Sequence, residues 1–311
     1  MKWFSRKAKL PKLSVIVIFH NMPREAKRTL YSLTTEYQKG ISGSDYELIA
    51  VDSSSKQPLD ESMVRSHGSQ FHYLSVDCEH PSPCRAMNQG VARAKGEIIV
   101  CNIDGARILS PGILSKTLKA YRRFRNPFVY TLGMHLGPKV QNESLLEGYN
   151  QSVEDEMLDK TPWKQDGYRL FSVSSVALSS KEGFYSELTE SNCFALYKKS
   201  YDDIGGFDEQ FITRGGGLAS LDMFNRAMER EDITPVMLMG EATFHQYHGG
   251  VATNVPMEEH PWRQFAKEYR AVRGKDYATV VKEPNYFGKV VPEATHLAIG
   301  EYRNRTRAPV E

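Results

Sequence analysis

The sequence predicts an α/β fold, and three observations carry the prediction. Residues 15–19 (VIVIF) form an unbroken apolar run rich in β-branched side chains, the pattern of a central parallel strand covered on both faces. Apolar residues then recur at Ala26, Leu30, Leu33 and Tyr37, a helical stripe suited to cover that strand. The strand signal returns at 46–51 (YELIAV) and 97–103 (EIIVCNI), and an aspartate follows each time.

Taken in order, His20, Asn21 and Pro23 turn the first strand into its helix. Asp52 and the serines behind it stop the second strand. Ser82 and Pro83 start a helix with Met87, Val91 and Ala94 on one face, and Gly96 supplies its stop. The strand 97–103 delivers Asp104, after which Ser110 and Pro111 open a helix whose face is Leu114, Leu118 and Tyr121. From 141 to 181 the periodicity fades, which predicts a long loop or lid. A helix from about Leu218 directs Leu221, Phe224 and Met228 inward, and the strand 236–239 (VMLM) follows. Trp262, Phe265, Tyr269 and Val272 mark one more amphipathic helix, and the sequence after Lys275 reads as irregular.

Composition narrows the function. The 311 residues, 40% hydrophobic, are enough for a substantial core. Forty basic against thirty-eight acidic residues leave a formal charge of +2, too little to drive unspecific nucleic-acid binding. No apolar run approaches the ~20 residues of a membrane-spanning helix. The four cysteines fit neither a paired zinc motif nor a disulfide framework, so reduced, mostly buried thiols are expected. The basic start MKWFSRKAKL lacks a secretory core and predicts a cytoplasmic protein. Its five lysines and arginines within the first twelve residues, beside Trp3 and Phe4, allow at most peripheral contact with the inner face of a membrane. Neither GxGxxG nor a P-loop occurs, which argues against a nicotinamide dehydrogenase or an ATPase.

Ligands of open α/β sheets bind outside the carboxyl ends of parallel strands, so Asp52 and Asp104 are expected to share a crevice. Asp52 would there accept hydrogen bonds from a ligand's N–H and O–H groups, or else cap its own strand as an Asx turn. Arg85, opening the next helix, is placed to pair with phosphate oxygens, or is a solvated surface arginine.

Four strings in order, SVIVIFHN, LIAVDSSS, CRAMNQGVARAKGEIIVCNIDGARILSPGIL and ESNCFALYKKSYDDIGGFDEQF, resemble family-2 glycosyltransferases of the GT-A fold, from about Ser14 to Gly250. The resemblance implies a mixed, mostly parallel sheet flanked by helices. It divides the chain into a basic segment 1–12, a GT-A domain 13–250 with a nucleotide-sugar half 13–110 and an acceptor half 111–250, and a helical extension 251–311. It implies a UDP- or GDP-sugar donor, a hydroxyl acceptor on a glycan or lipid, no nucleic-acid partner, and inversion at the anomeric carbon, as in polysaccharide biosynthesis. His20, Asn21, Asp52, Arg85, Asn88, Asp104 and Arg107 fall where the family holds its nucleotide sugar.

The family's D-x-D loop helps hold Mn²⁺ or Mg²⁺, but here Ala106 stands at the second acidic position. Either Asp104 is completed by histidines, for which His248 and His245 in FHQYHGG are the candidates, or Arg107 replaces part of the cation's charge. The family's usual base sits in a Glu-Asp pair, and aligning on Arg226 puts Ala219 and Ser220 there. Asp222 is the nearest substitute and Asp208, beside Glu209, the reserve, each with an ordinary helix-start or turn role as its alternative. The glycines 215–217 permit close approach of a sugar or phosphate. Two other functions compete: a nucleotide-sugar-binding protein without turnover, and a nucleotidyltransferase, which the absence of a glycine- and lysine-containing loop after the first strand disfavours.

Overall fold

The computed structural model describes residues 10–185 and 188–298, so Trp3, Phe4 and most of the basic segment 1–12 lie outside the described residues. The chain runs β1 (Leu13–Phe19), α1 (Pro23–Tyr31), β2 (Tyr46–Ser53), α2 (Glu61–Ser66), β3 (Phe71–Val76), α3 (Cys84–Arg93), β4 (Ile98–Asn102) and β5 (Arg107–Leu109). It continues with α4 (Ile113–Arg123), β6 (Pro127–Leu136), α5 (Gln141–Ser144), α6 (Gln151–Lys160), β7 (Ser174–Val176), β8 (Cys193–Tyr197) and α7 (Lys198–Ile204). Then come α8 (Ala219–Met228), β9 (Thr234–His245), α9 (Trp262–Arg273) and β10 (Asn285–Gly288).

One mixed sheet holds the described strands in the order β10-β9-β6-β8-β4-β1-β2-β3, with β5 paired to β9 and β7 to β6. The β4-β1-β2-β3 block is parallel, β8 is antiparallel to both its neighbours, and β6, β9 and β10 are parallel again. All seven residues of β1 are buried. Ile16 and Ile18 enter one core, Val15 and Val17 the other, as the two-residue period of a strand between two helical layers requires. Replacing Ile16 by Ala removes a side chain at full burial and costs about 2–5 kcal/mol.

The structure departs from expectation in three places. Residues 141–181 are not a loop: α5, α6, β7 and short 3₁₀ turns pack Leu158, Trp163, Leu170 and Phe171 into the core, and Trp163 meets Tyr31 and Tyr37 edge-on. Short turns lack a sustained 3.6-residue period, so their apolar residues fall at irregular spacing. The sheet also contains β3 and β6, which the pattern did not reveal; β3 is an edge strand whose middle is only half buried. The segment after Lys275 is not irregular throughout, because β10 extends the sheet beside β9 and Ala294 and Leu297 reach the main core. Cys84, Cys101 and Cys193 are buried and all four cysteines are free. No helix among the described residues is long and apolar enough to cross a membrane.

Candidate functional site

The carboxyl edge of the sheet is shaped by two close approaches. The loop after β4 lies against β1 so tightly that a Cβ on Gly105 would sit 2.3 Å from Phe19 Cδ1 and 2.5 Å from the Ile18 carbonyl oxygen. Glycine therefore fixes where Asp104 stands. The Asp104 Oδ1 accepts the Ala106 N–H at 3.0 Å, and Arg107 Nε donates to its Oδ2 at 3.1 Å. Next, β5 pairs antiparallel with β9 so that Arg107 faces His245. His245, ending β9, thus arrives beside Asp104, its Nε2 3.1 Å from Oδ2, while His248 Nε2 lies 3.9 Å from Oδ1 and 3.1 Å from His245 Nε2.

Hydrogen bonding settles which imidazole nitrogen carries the proton. The Gln141 amide nitrogen donates to the carbonyls of His245 (3.0 Å) and Leu136 (3.4 Å), so its Oε1 must be the atom facing His245 Nδ1 at 2.7 Å. Asn254 Nδ2 donates to the same oxygen at 2.8 Å. His245 Nδ1 is then the N–H donor, and Nε2 presents a lone pair toward Asp104. Burial lowers the His245 pKa to about 4 despite the opposing pull of Asp104, so the ring is neutral near pH 7. Burial, with His245 and Arg107 nearby, likewise holds His135 well below the usual imidazole range. For Asp104 burial opposes ionisation, but His245, Arg107 and His248 outweigh it and hold the carboxyl well below the usual range. One carboxylate and two imidazoles thus offer ligand atoms within 4.8 Å of one another. The His245 lone pair directed at the Asp104 carboxylate, with His248 beside both, fits a divalent cation, and Gln141 is the outer partner that aims it.

This cradle opens into a cavity of about 300 Å³. His20 and Asn21 line it, with His20 Nδ1 bonded to the Ser53 carbonyl at 2.6 Å and Asn21, at φ 54°, accepting the N–H groups of Lys56 and Gln57 on its Oδ1. Arg214 and the glycines 215–217 form another wall, with the three glycines at positive φ. Ser220 reaches the cavity with a buried hydroxyl that has no hydrogen-bond partner. Glu190 and Asn192 also line it. Arg107 is buried behind Asp104, its Nη1 without a partner.

Five expected site residues stand elsewhere. Asp52 does not face the crevice: it is 2% exposed and its two oxygens accept the N–H groups of Ser55 (3.2 Å) and Leu59 (2.8 Å), the strand-capping alternative. Arg85 is exposed on α3 and away from the cavity. Asn88 ties α3 to the turn after α7, accepting from Tyr201 Oη and Phe207 N and donating to the Phe207 carbonyl and Glu209. Asp222 is buried between Arg226 (2.8 Å) and Arg273 (2.6 and 2.7 Å) and does not line the cavity. Asp208 accepts from Arg273 at 2.8 Å and from Gln210 N, outside the cavity. Both aspartates hold α8, α9 and the 205–209 turn together. Conversely, Gln141, Glu190, Asn192 and Arg214 were not anticipated. Glu190 opens the string ESNCF, but nothing in a lone sequence tells that β8 runs antiparallel and so starts at the ligand edge.

A mostly parallel sheet whose carboxyl edge carries a carboxylate-imidazole cradle defines an α/β protein of the GT-A type. The family described as Glycosyl transferase family 2 matches residues 14–204, more than half of the chain, and the chain belongs to that family. No curated protein sequence matches it. Among solved structures, S. aureus TarS 1–349 superimposes with TM-score 0.50 at 12% identity, covering 76% of this chain and 60% of that one. A longer S. aureus TarS gives 0.53 at 14%, over 96% of this chain and 44% of that one. TarS 1–349 in complex with UDP-GlcNAc gives 0.50 at 13%, over 96% and 73%. This chain thus spans 60% and 44% of the first two structures, and the likeness is one of fold.

Proposed function

We propose that the protein is a glycosyltransferase that moves a sugar from a nucleoside-diphosphate sugar to a hydroxyl acceptor. The observation that carries this reading is the convergence of Asp104, His245 and His248 at the mouth of a cavity on the carboxyl edge of the sheet. These three residues would hold a divalent cation there; two imidazole donors suit Mn²⁺ better than Mg²⁺, which prefers oxygen ligands and retained waters. When bound, such a cation neutralises the charge that builds on the departing diphosphate. Arg107 holds Asp104 ionised and oriented through its Nε–H. His20 and Asn21 shape the wall beside the donor, and the glycines 215–217 let a sugar approach the backbone. The family assignment supports inversion, and the UDP-GlcNAc of a TarS structure with a like fold supports a UDP-linked donor. The acceptor is a hydroxyl on a glycan or lipid.

One specific observation favours a second reading. Asp222 and Asp208 are locked by arginines and Ala219 and Ser220 replace the expected acids, which would leave a protein that binds nucleotide sugar without turnover. Thermal-shift titration with UDP and GDP, with and without Mn²⁺, tests binding, and nucleotide-diphosphate release from UDP- and GDP-sugars tests turnover. Mn²⁺-dependent stabilisation together with release is expected. Stabilisation alone favours the second reading, and neither result leaves the reading standing without a nucleotide shift.

A further inference from the structure

The glycosyl-transfer reading needs a group that takes the acceptor's proton, and the inference below rests on that reading. Among the described residues lining the cavity, two carry carboxylates, Asp104 and Glu190. Asp104 is engaged by His245, Arg107 and its own loop, so it already serves the cradle. Glu190 arrives by a different route. Because β8 is antiparallel to β4, with Asn102 opposite Cys193, the residues just before β8 run past the carboxyl end of β4. Alternation then sorts them. Ser191 turns inward, its hydroxyl bonded to the Thr131 carbonyl (3.1 Å) and the Cys193 carbonyl (2.7 Å), while Glu190 and Asn192 on either side of it face the cavity.

We propose that Glu190 is the catalytic base of the transfer. As the acceptor oxygen bonds to the anomeric carbon, the bond from that carbon to the diphosphate oxygen breaks. Its electron pair leaves with the nucleoside diphosphate, and the hydroxyl proton passes to the Glu190 carboxylate. Its surroundings suit the task. Whereas Asp222 is clamped by two guanidinium groups, Glu190 has the Ser179 hydroxyl as its side-chain donor and feels Arg107 only through space. Burial pushes its carboxyl up, and Arg107 and Ser179 pull it part of the way back, which moves it toward the range where a base works near neutral pH. The other ionisable groups around it, among the described residues, include Tyr277 and, in the same cavity lining, His20, Arg214 and the Asp104-His245-His248 cradle.

Nucleotide-diphosphate release from UDP- and GDP-sugars in Mn²⁺, with water or glycerol as acceptor, provides the test. Glu190→Gln is expected to lose about 100-fold or more in kcat, while its thermal shift with UDP or GDP and Mn²⁺ stays that of the wild type. Glu190→Ala supplied with azide, a nucleophile with no proton to give up, is expected to regain turnover and form a glycosyl azide. A Glu190→Gln variant that turns over at the wild-type rate overturns the proposal. So does a variant whose nucleotide binding falls in step with its activity, or an alanine variant that binds nucleotide but is not rescued. A wild type that binds nucleotide diphosphate yet releases none from any donor instead overturns the glycosyl-transfer reading, and the proposal with it.

Discussion

Asp104 and Asp222 are both carboxylates flanked by basic side chains, yet their neighbours give them opposite uses. Asp222 lies between the guanidinium groups of Arg226 and Arg273, which are always charged and fill its acceptor sites with N–H donors. Such a cluster is closed, and it joins α8 to α9. Asp104 faces two imidazoles, one of which is neutral with its lone pair turned inward, and 18% of its side chain remains open. A carboxylate beside neutral nitrogen ligands has capacity left for a cation. The identity of the basic partner, more than the acid itself, separates a tie from a binding site.

The largest effect is expected from Asp104→Asn, which removes the only carboxylate of the cradle. It should lower Mn²⁺-dependent nucleotide-diphosphate release by roughly 1000-fold, of the order seen when a charge-stabilising group is lost, with a far-ultraviolet circular dichroism spectrum like that of the wild type. Unchanged release would erase the distinction between the two clusters. Asp222→Asn should do the reverse. Leaving two guanidinium groups partly unpaired costs about 3 kcal/mol of stability, read from urea midpoints, while turnover per folded molecule stays within about 2-fold. A larger loss of turnover with no loss of stability would move Asp222 back into the reaction.

Gln141→Leu tests the tautomer. Without the Oε1 acceptor the His245 Nδ1–H loses its anchor, and Mn²⁺ affinity by calorimetry should fall about 10- to 100-fold. The smallest effect concerns pH. His245 and His135 are held neutral, with the His245 pKa near 4, whereas in the unfolded chain both rings take up protons below about 6.5. Stability from this source is complete above pH 6.5 and declines as pH falls toward 4. The loss by pH 5 is on the order of 2 kcal/mol for each ring, measured as urea midpoints in chelator. The arginine-held cluster contains no histidine, so His245→Asn combined with His135→Asn should flatten the profile and Asp222→Asn should not.

The α/β character and the position of Asp104 were legible because a fully buried strand must be apolar throughout and must end where polar residues begin. Residues 15–19 and 98–101 obey that rule, and β1 and β4 lie where they predict. The pairing of Asp104 with His245 and His248 was suggested by the resemblance, and the β5-β9 register supplies its physical cause. Asp52 misled because a strand-end aspartate looks the same whether it faces a ligand or caps its own loop. Asp222 and Asp208 misled because Arg273, their shared partner, lies 51 residues beyond the first in sequence. Gln141 was hidden inside a stretch with no helical period, and Glu190 before a strand whose direction only the sheet defines.

The pairing of β10 with β9 has a consequence for synthesis. Residues 285–288 cover the flank of the strand that presents His245, yet they emerge from the ribosome some forty positions after it. During that interval the nascent sheet offers a bare row of amide and carbonyl groups to any neighbouring chain. A shortened protein ending at Lys275 would keep that flank uncovered permanently and should self-associate, although every residue of the cradle is still present.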